Sequence, residues 1–158
     1  LKQIVLTRID DRLIHGQVMT SWLKYTGANK IMVIDDVVSK DQFMKAVLKS
    51  CVPANVMLSV FSASEAVERI KSGFNENDKI IILVKYPKTL YDMMQQGIDF
   101  EKINIGGMAI NAGRKKFHKN IAASEEEKAM LKEMINKGTK VSIQIIANDS
   151  EIDVSKLL

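Results

Sequence analysis

Cysteine is nearly absent, with Cys51 standing alone in 158 residues. One thiol closes no internal disulfide and supplies no cysteine-based zinc cage, so packing must hold the fold, and a reducing compartment is implied. Aromatic residues are few as well: one tryptophan, three tyrosines and five phenylalanines. That leaves little material for the stacking platforms that bind single-stranded nucleic acid. Long apolar runs are missing too. The longest, Ile80 to Val84, falls far short of the roughly 20 residues that span a bilayer. The first residues, Leu1-Lys2-Gln3-Ile4, lead straight into strand-like sequence without a signal-peptide pattern, so a cytoplasmic location is expected. Charge of one sign is also scarce. With 23 basic against 19 acidic side chains the net charge is only +4, enough to favour an acidic partner but weak as evidence for nucleic acid.

What is present is a core. Hydrophobic residues make up 46% and charged residues 27% of the chain, a balance that excludes disorder as the main state. The length matches one domain, and no linker, repeat or composition break divides residues 1–158. Short aliphatic blocks recur at Ile4-Val5-Leu6, Ile31 to Ile34, Val56-Met57-Leu58, Ile80 to Val84, Ile103-Asn104-Ile105 and Val141 to Ile146. Blocks without polar alternation fit strands covered on both faces. Helical periods fill the gaps, with Val18, Met19, Trp22 and Leu23 on one face of the first and Ala129, Met130, Met134 and Ile135 on one face of the last. Ser62-x-x-Glu65 and Ser124-x-x-Glu127 read as capping boxes, and Ser39-x-x-Gln42 as a weaker third. Gly27, Gly73, Gly97 and Gly138 stand where helices should stop. The alternation predicts an α/β layered domain with a mostly parallel central sheet flanked by helices on both faces. The long connection between Ile105 and Ser124 should hide a short extended segment near Phe117 to Ala122.

Ligands of open α/β sheets bind beyond the carboxyl ends of the strands, so the residues that follow each block matter most. Asp10, Asp11, Arg12 and His15 follow the first, Asp35 and Asp36 the second, Lys85 the fourth, and Gly106 and Gly107 the fifth. The first group is the richest. His15 falls at or just before a helix N-terminus, where free N–H groups and the helix dipole hold an anion. A neutral imidazole is a nucleophile at physiological pH. A phosphate attached to the ring would then meet the backbone N–H groups of Gly16 and Gln17, while Arg12 offers a planar fork for phosphoryl oxygens. Asp10 or Asp11 is placed to accept the other ring N–H and fix the tautomer, leaving the second acid to the turn. Gly106 and Gly107 allow a backbone to approach a phosphate closely; Asp36 and Lys85 stand at the periphery. No Walker pattern or dinucleotide fingerprint occurs, so no nucleotide cofactor is expected, nor any metal.

Arg8-Ile9-Asp10-Asp11-Arg12-Leu13-Ile14-His15-Gly16-Gln17-Val18 resembles the phosphorylation-site segment of the IIB components of the mannose/fructose/sorbose family of the sugar phosphotransferase system. Asp35-Asp36, Lys85-Tyr86-Pro87 and Asn104-Ile105-Gly106-Gly107-Met108 extend the likeness over nearly the whole chain. One departure is Ala147-Asn148-Asp149 after the last block, where the family often shows a proline. The resemblance implies a transferase with a covalent phosphohistidine. A IIA protein or domain donates a phosphoryl group to His15, at Nδ1, and Arg12 holds the phosphate. The phosphoryl group then passes to a sugar carried by the IIC and IID membrane components, with which the protein is peripherally associated. Mannose, fructose, sorbose and amino sugars all remain open as substrates, and the apolar content leaves room for a homodimer.

Rival readings rest on other residues. A receiver-like signalling domain needs an acceptor aspartate after the third block, where Val60-Phe61-Ser62 stands instead. A nucleic-acid or protein-binding regulatory module would use the basic run Arg114 to Lys119, which otherwise reads as a solvated strand or a docking face for an acidic partner. Cys51 and most of the nine methionines read as core.

Overall fold

The computed structural model describes residues 1–158 except the side chain of Gln17. Nine strands and five helices follow in chain order: β1 Ile4–Asp10, α1 Gly16–Thr26, β2 Lys30–Ile34, α2 Gln42–Ser50, β3 Met57–Phe61, α3 Ala63–Lys71, β4 Ile80–Val84, α4 Pro87–Gln95, β5 Lys102–Gly107, β6 Lys115–His118, β7 Ile121–Ala123, α5 Glu125–Asn136, β8 Lys140–Ile143 and β9 Ile152–Asp153. Seven of the strands form one sheet in the order β3-β2-β4-β1-β5-β8-β9. All its neighbours run parallel except the final pair, β8 and β9.

β4 shows why an unbroken aliphatic run makes a central strand. Its five residues are all buried. Ile80, Ile82 and Val84 face a core shared with Val67, Ile70, Leu90, Met93, Leu131 and Met134 of α3, α4 and α5. Ile81 and Leu83 face the opposite core, with Met19, Trp22 and Leu23 of α1 and Leu48 of α2. The side-chain period of two thus distributes one short run between two layers of helices. The chain is an α/β protein with a mostly parallel sheet covered on both faces.

Several local expectations hold and some change. Ser62 and Ser124 both cap their helices in full capping boxes. Ser39 does not cap α2. It lies in a 3₁₀ turn, Val38–Lys40, and Asp41 takes the cap by accepting from the Met44 N–H at 3.0 Å. Gly27, Gly73, Gly97 and Gly138 follow helix ends with φ of 69°, 83°, 95° and 103°. The extended segment expected near Phe117 is a two-stranded hairpin, β6 with β7, turning at Lys119 with φ 49°. The last block ends as a strand at Ile143; the Gln144 N–H still bonds the Ile105 carbonyl at 3.0 Å, and the Gln144 and Ile145 carbonyls accept from Arg8. Cys51 is exposed at the end of α2 rather than buried. Replacing Asp41 by alanine removes the α2 cap, and urea unfolding should show a loss of about 1 kcal/mol.

Candidate functional site

β1 lies at the middle of the sheet between β4 and β5. The chain leaves β1 toward β2 on one side and later reaches β5 on the other, so its carboxyl end is a topological switch point. Arg8 and Asp10 sit two residues apart on β1 and therefore share a face. Both are fully buried. A charged pair inside a strand covered on both sides requires partners, and the following loop supplies them.

That loop is tightly turned. Asp10 accepts from the Leu13 N–H through its carbonyl at 2.9 Å and from the Arg12 N–H through Oδ1 at 3.1 Å. Leu13 adopts a left-handed conformation, φ 57°, which costs a side chain about 1–2 kcal/mol. Burial of its side chain among Ile14, Met19 and Trp22 offsets that cost. His15 then occupies the N-cap of α1 in extended conformation, and no side chain caps the helix there. Gly16 opens the helix at φ 44°, and no atom lies within 4 Å of where its Cβ would stand. The helix start therefore faces open space.

The side chains converge on Asp10. Oδ1 accepts from Arg12 Nε at 3.1 Å, and Oδ2 from Arg12 Nη2 at 3.2 Å, Arg8 Nη2 at 3.2 Å and His15 Nε2 at 3.0 Å. Burial alone would push the Asp10 carboxyl up; the hydrogen bonds from Arg12 and His15, with the nearby Arg8 charge, outweigh it and hold the carboxyl below its ordinary range. Burial lowers the Arg8 guanidinium from its usual value, opposed by the attraction of Asp10, but an arginine stays protonated in either case. Two guanidinium charges meet one carboxylate, leaving one positive charge in excess. Arg12 is half exposed and His15 partly so, with side-chain exposures of 51% and 24%. Nε2 faces Asp10, so Nδ1 is the ring nitrogen without a hydrogen-bond partner among the described residues.

The other predicted residues have different tasks. Asp11 does not touch the imidazole: its Oδ2 accepts from the Ala109 N–H at 2.7 Å and from Arg114 at 3.4 Å. Gly106 and Gly107 make room for the site's own side chains. A Cβ at Gly106 would lie 1.9 Å from Arg8 Nη2, and one at Gly107 2.6 Å from Asp10 Oδ1. Asp36 accepts from the Ala63 N–H at 2.8 Å and so fixes the start of α3. Lys85 follows β4, next to the end of β1, with Nζ 5.9 Å from the Tyr86 ring centroid. The run from Arg114 to Lys119 is not a uniform basic face. Arg114 is buried and forks onto Glu127 with two bonds of 2.8 Å, Phe117 and His118 are half-buried, and only the three lysines are exposed. Sequence reasoning missed Arg8, Asn104 and Trp22. The available signal was an arginine two residues before an aspartate inside an otherwise apolar strand.

Among the described residues no cluster of three or more histidine, cysteine, aspartate or glutamate side chains is arranged to hold a metal, and no helix is long and apolar enough to cross a membrane. Fold and site together define an α/β protein with a histidine and an excess positive charge at the carboxyl edge of its sheet, where an anionic group can be handled. A family profile described as "PTS system sorbose subfamily IIB component" matches residues 4–158. The sorbose-specific EIIB component of Lacticaseibacillus casei is 31% identical over 151 residues, 96% of this chain and 92% of that protein. The fructose-specific EIIB component of Bacillus subtilis is 29% identical over 158 residues, 100% of this chain and 97% of that one. The solved IIBSor domain of the sorbose permease from Klebsiella pneumoniae superposes with a TM-score of 0.92 at 30% identity, covering 98% of this chain and 94% of that one. The chain belongs to the sorbose subfamily of phosphotransferase-system IIB components, which are sugar-specific phosphotransferases.

Two outcomes follow from the buried cluster. Asp10→Asn leaves two guanidinium groups without their carboxylate and should cost about 3 kcal/mol at neutral pH. The native carboxyl is held below its unfolded value of about 3.9. Its contribution is therefore present above that pH and is lost as pH falls through the lower native value. Urea titrations of both proteins at a series of pH values should show the difference between them shrinking on the acid side. Gly106→Ala forces a methyl group into the Arg8 guanidinium and should destabilise by about 3 kcal/mol, read by the same unfolding midpoint.

Proposed function

We propose that this chain carries a phosphoryl group on Nδ1 of His15, receiving it from a IIA protein or domain and passing it to a sugar delivered by IIC and IID membrane components. The supporting observation is the 3.0 Å bond between His15 Nε2 and the buried Asp10 carboxylate. An acid-held Nε2–H leaves the lone pair on Nδ1, at a helix start open to solvent. In the first step that lone pair forms the N–P bond while the bond from phosphorus to the donor breaks. In the second, a sugar hydroxyl oxygen attacks phosphorus, the N–P bond returns its electron pair to Nδ1, and the hydroxyl proton passes to solvent water. The ring keeps its Nε2–H on Asp10 throughout.

Catalysis in this reading is positioning plus charge compensation. Arg12 is exposed enough to turn part of its fork toward the phosphoryl oxygens, and the first N–H groups of α1, at Gly16 and Gln17, point the same way by helix geometry. Lys85 stands at the rim as a further positive charge. The protein works in the cytoplasm against the membrane face where IIC and IID present the sugar.

The test is phosphoryl transfer from phosphoenolpyruvate through the general enzymes and a cognate IIA. Wild type should take up an acid-labile, alkali-stable label, and His15→Ala should take up none while keeping its fold. An unlabelled wild type beside a demonstrably charged IIA would reject the carrier reading. Arg12→Lys keeps the charge but loses the fork, and transfer should slow on the order of 10²-fold, as when one preorganised donor is removed.

A further inference from the structure

Arg8 makes four side-chain hydrogen bonds that the proposed chemistry does not use. Its guanidinium is fully buried. Nη1 donates to Asn104 Oδ1 at 2.6 Å and to the Gln144 carbonyl at 2.9 Å. Nη2 donates to the Ile145 carbonyl at 2.9 Å and to Asp10 Oδ2 at 3.2 Å. The group also lies 5.3 Å from the centroid of the Trp22 ring, whose Nε1 donates to the same Ile145 carbonyl at 3.1 Å. Asn104 stands opposite Arg8 in the ladder between β1 and β5, and its amide donates to the Gln144 carbonyl at 3.2 Å, so both groups are fixed on one anchor.

This arrangement is more than structural filler around a buried ion pair. Asp10 Oδ2 is the oxygen that His15 Nε2 engages, and it is the same oxygen that Arg8 holds from below. Arg12, the other cation on Asp10, is half exposed and is needed by the incoming phosphoryl group. When Arg12 turns outward, Arg8 is the cation left on the carboxylate. A rigid, water-free guanidinium at that point keeps Asp10 an acceptor through the whole cycle, and only an acceptor can hold Nε2 in its protonated form.

We propose that Arg8 is a positioning residue that acts through Asp10 Oδ2 to fix the His15 tautomer, so that Nδ1 and not Nε2 offers its lone pair to phosphorus. The consequence for transfer rests on the reading of His15 as phosphoryl acceptor, whereas the tautomer itself is measurable without any transfer. The groups facing the imidazole are Asp10, Arg8 behind it and Arg12 beside it; Asp11 and Arg114 are engaged with each other and with Ala109.

Long-range ¹H–¹⁵N NMR of the His15 ring, above its titration range, reads the tautomer directly. Wild type should show the Nε2–H form. Arg8→Met should show a mixture of both forms, with transfer from phospho-IIA slowed about 10- to 100-fold, the usual loss when a supporting partner of a functional histidine is removed, and with KM for IIA unchanged. Arg8→Lys keeps the cation near Asp10 and should retain the Nε2–H form and recover part of the rate. A folded Arg8→Met protein with a pure Nε2–H ring and wild-type transfer would overturn the proposal. Should Arg8→Met not fold, Arg8→Lys decides: an Nε2–H ring with partial transfer supports the proposal, and a mixed-tautomer ring with full transfer overturns it. A wild-type ring in the Nε2–H form that never accepts phosphoryl would instead reject the carrier reading and leave the assignment to Arg8 standing.

Discussion

The loop after β1 and the glycines beside it on β5 are arranged around one buried carboxylate. Asp10 takes bonds from a backbone N–H, from two guanidinium groups and from an imidazole. A carboxylate withdrawn from water is costly by several kcal/mol unless such donors surround it. The cost dictates its surroundings: Arg8 one strand pleat away, a turn tight enough to bring the Arg12 backbone over Oδ1, and two glycines on β5 where any side chain would collide. The left-handed Leu13 belongs to the same requirement. The strain of its backbone is held by the packing of its side chain beneath α1, so the turn cannot relax without opening part of the core.

The fold is legible in the sequence because hydrophobic period and turn chemistry agree along most of the chain. Ile80 to Val84 announces a central strand by having no polar side, and Ser62 and Ser124 announce helix starts by carrying their glutamates three residues on. Misreadings occur where two local signals compete. Ser39 and Asp41 both suit an N-cap, and only the 3₁₀ turn decides between them. Val141 to Ile146 looks like one strand, yet the register with β5 ends at Ile143, and the next two carbonyls accept from Arg8.

The site is legible in its chemistry and much less so in its geometry. Helix-start position, Arg12 and the paired acids could all be read along the chain. The choice between Asp10 and Asp11 could not, since it depends on Asp10 facing inward as the last residue of a strand while Asp11 turns toward Ala109 and Arg114. The basic run from Arg114 shows the same limit. Composition cannot reveal that its first charge is already spent on Glu127, which also closes the α5 capping box. Two-residue alternation places Arg8 and Asp10 on one face, but the partners of Arg8 lie 96 and 136 residues further along the chain.

The loop after β8 meets the Arg8 guanidinium through main-chain oxygens of Gln144 and Ile145, not through side chains. Every amino acid offers such an oxygen. What this contact imposes on the loop is therefore a path, not an alphabet. The Gln144 side chain closes that path by donating to the Ala147 and Asp149 carbonyls, and Ala147 is buried beneath it. A single inserted or deleted residue there would be felt at the guanidinium, where many substitutions would pass unnoticed.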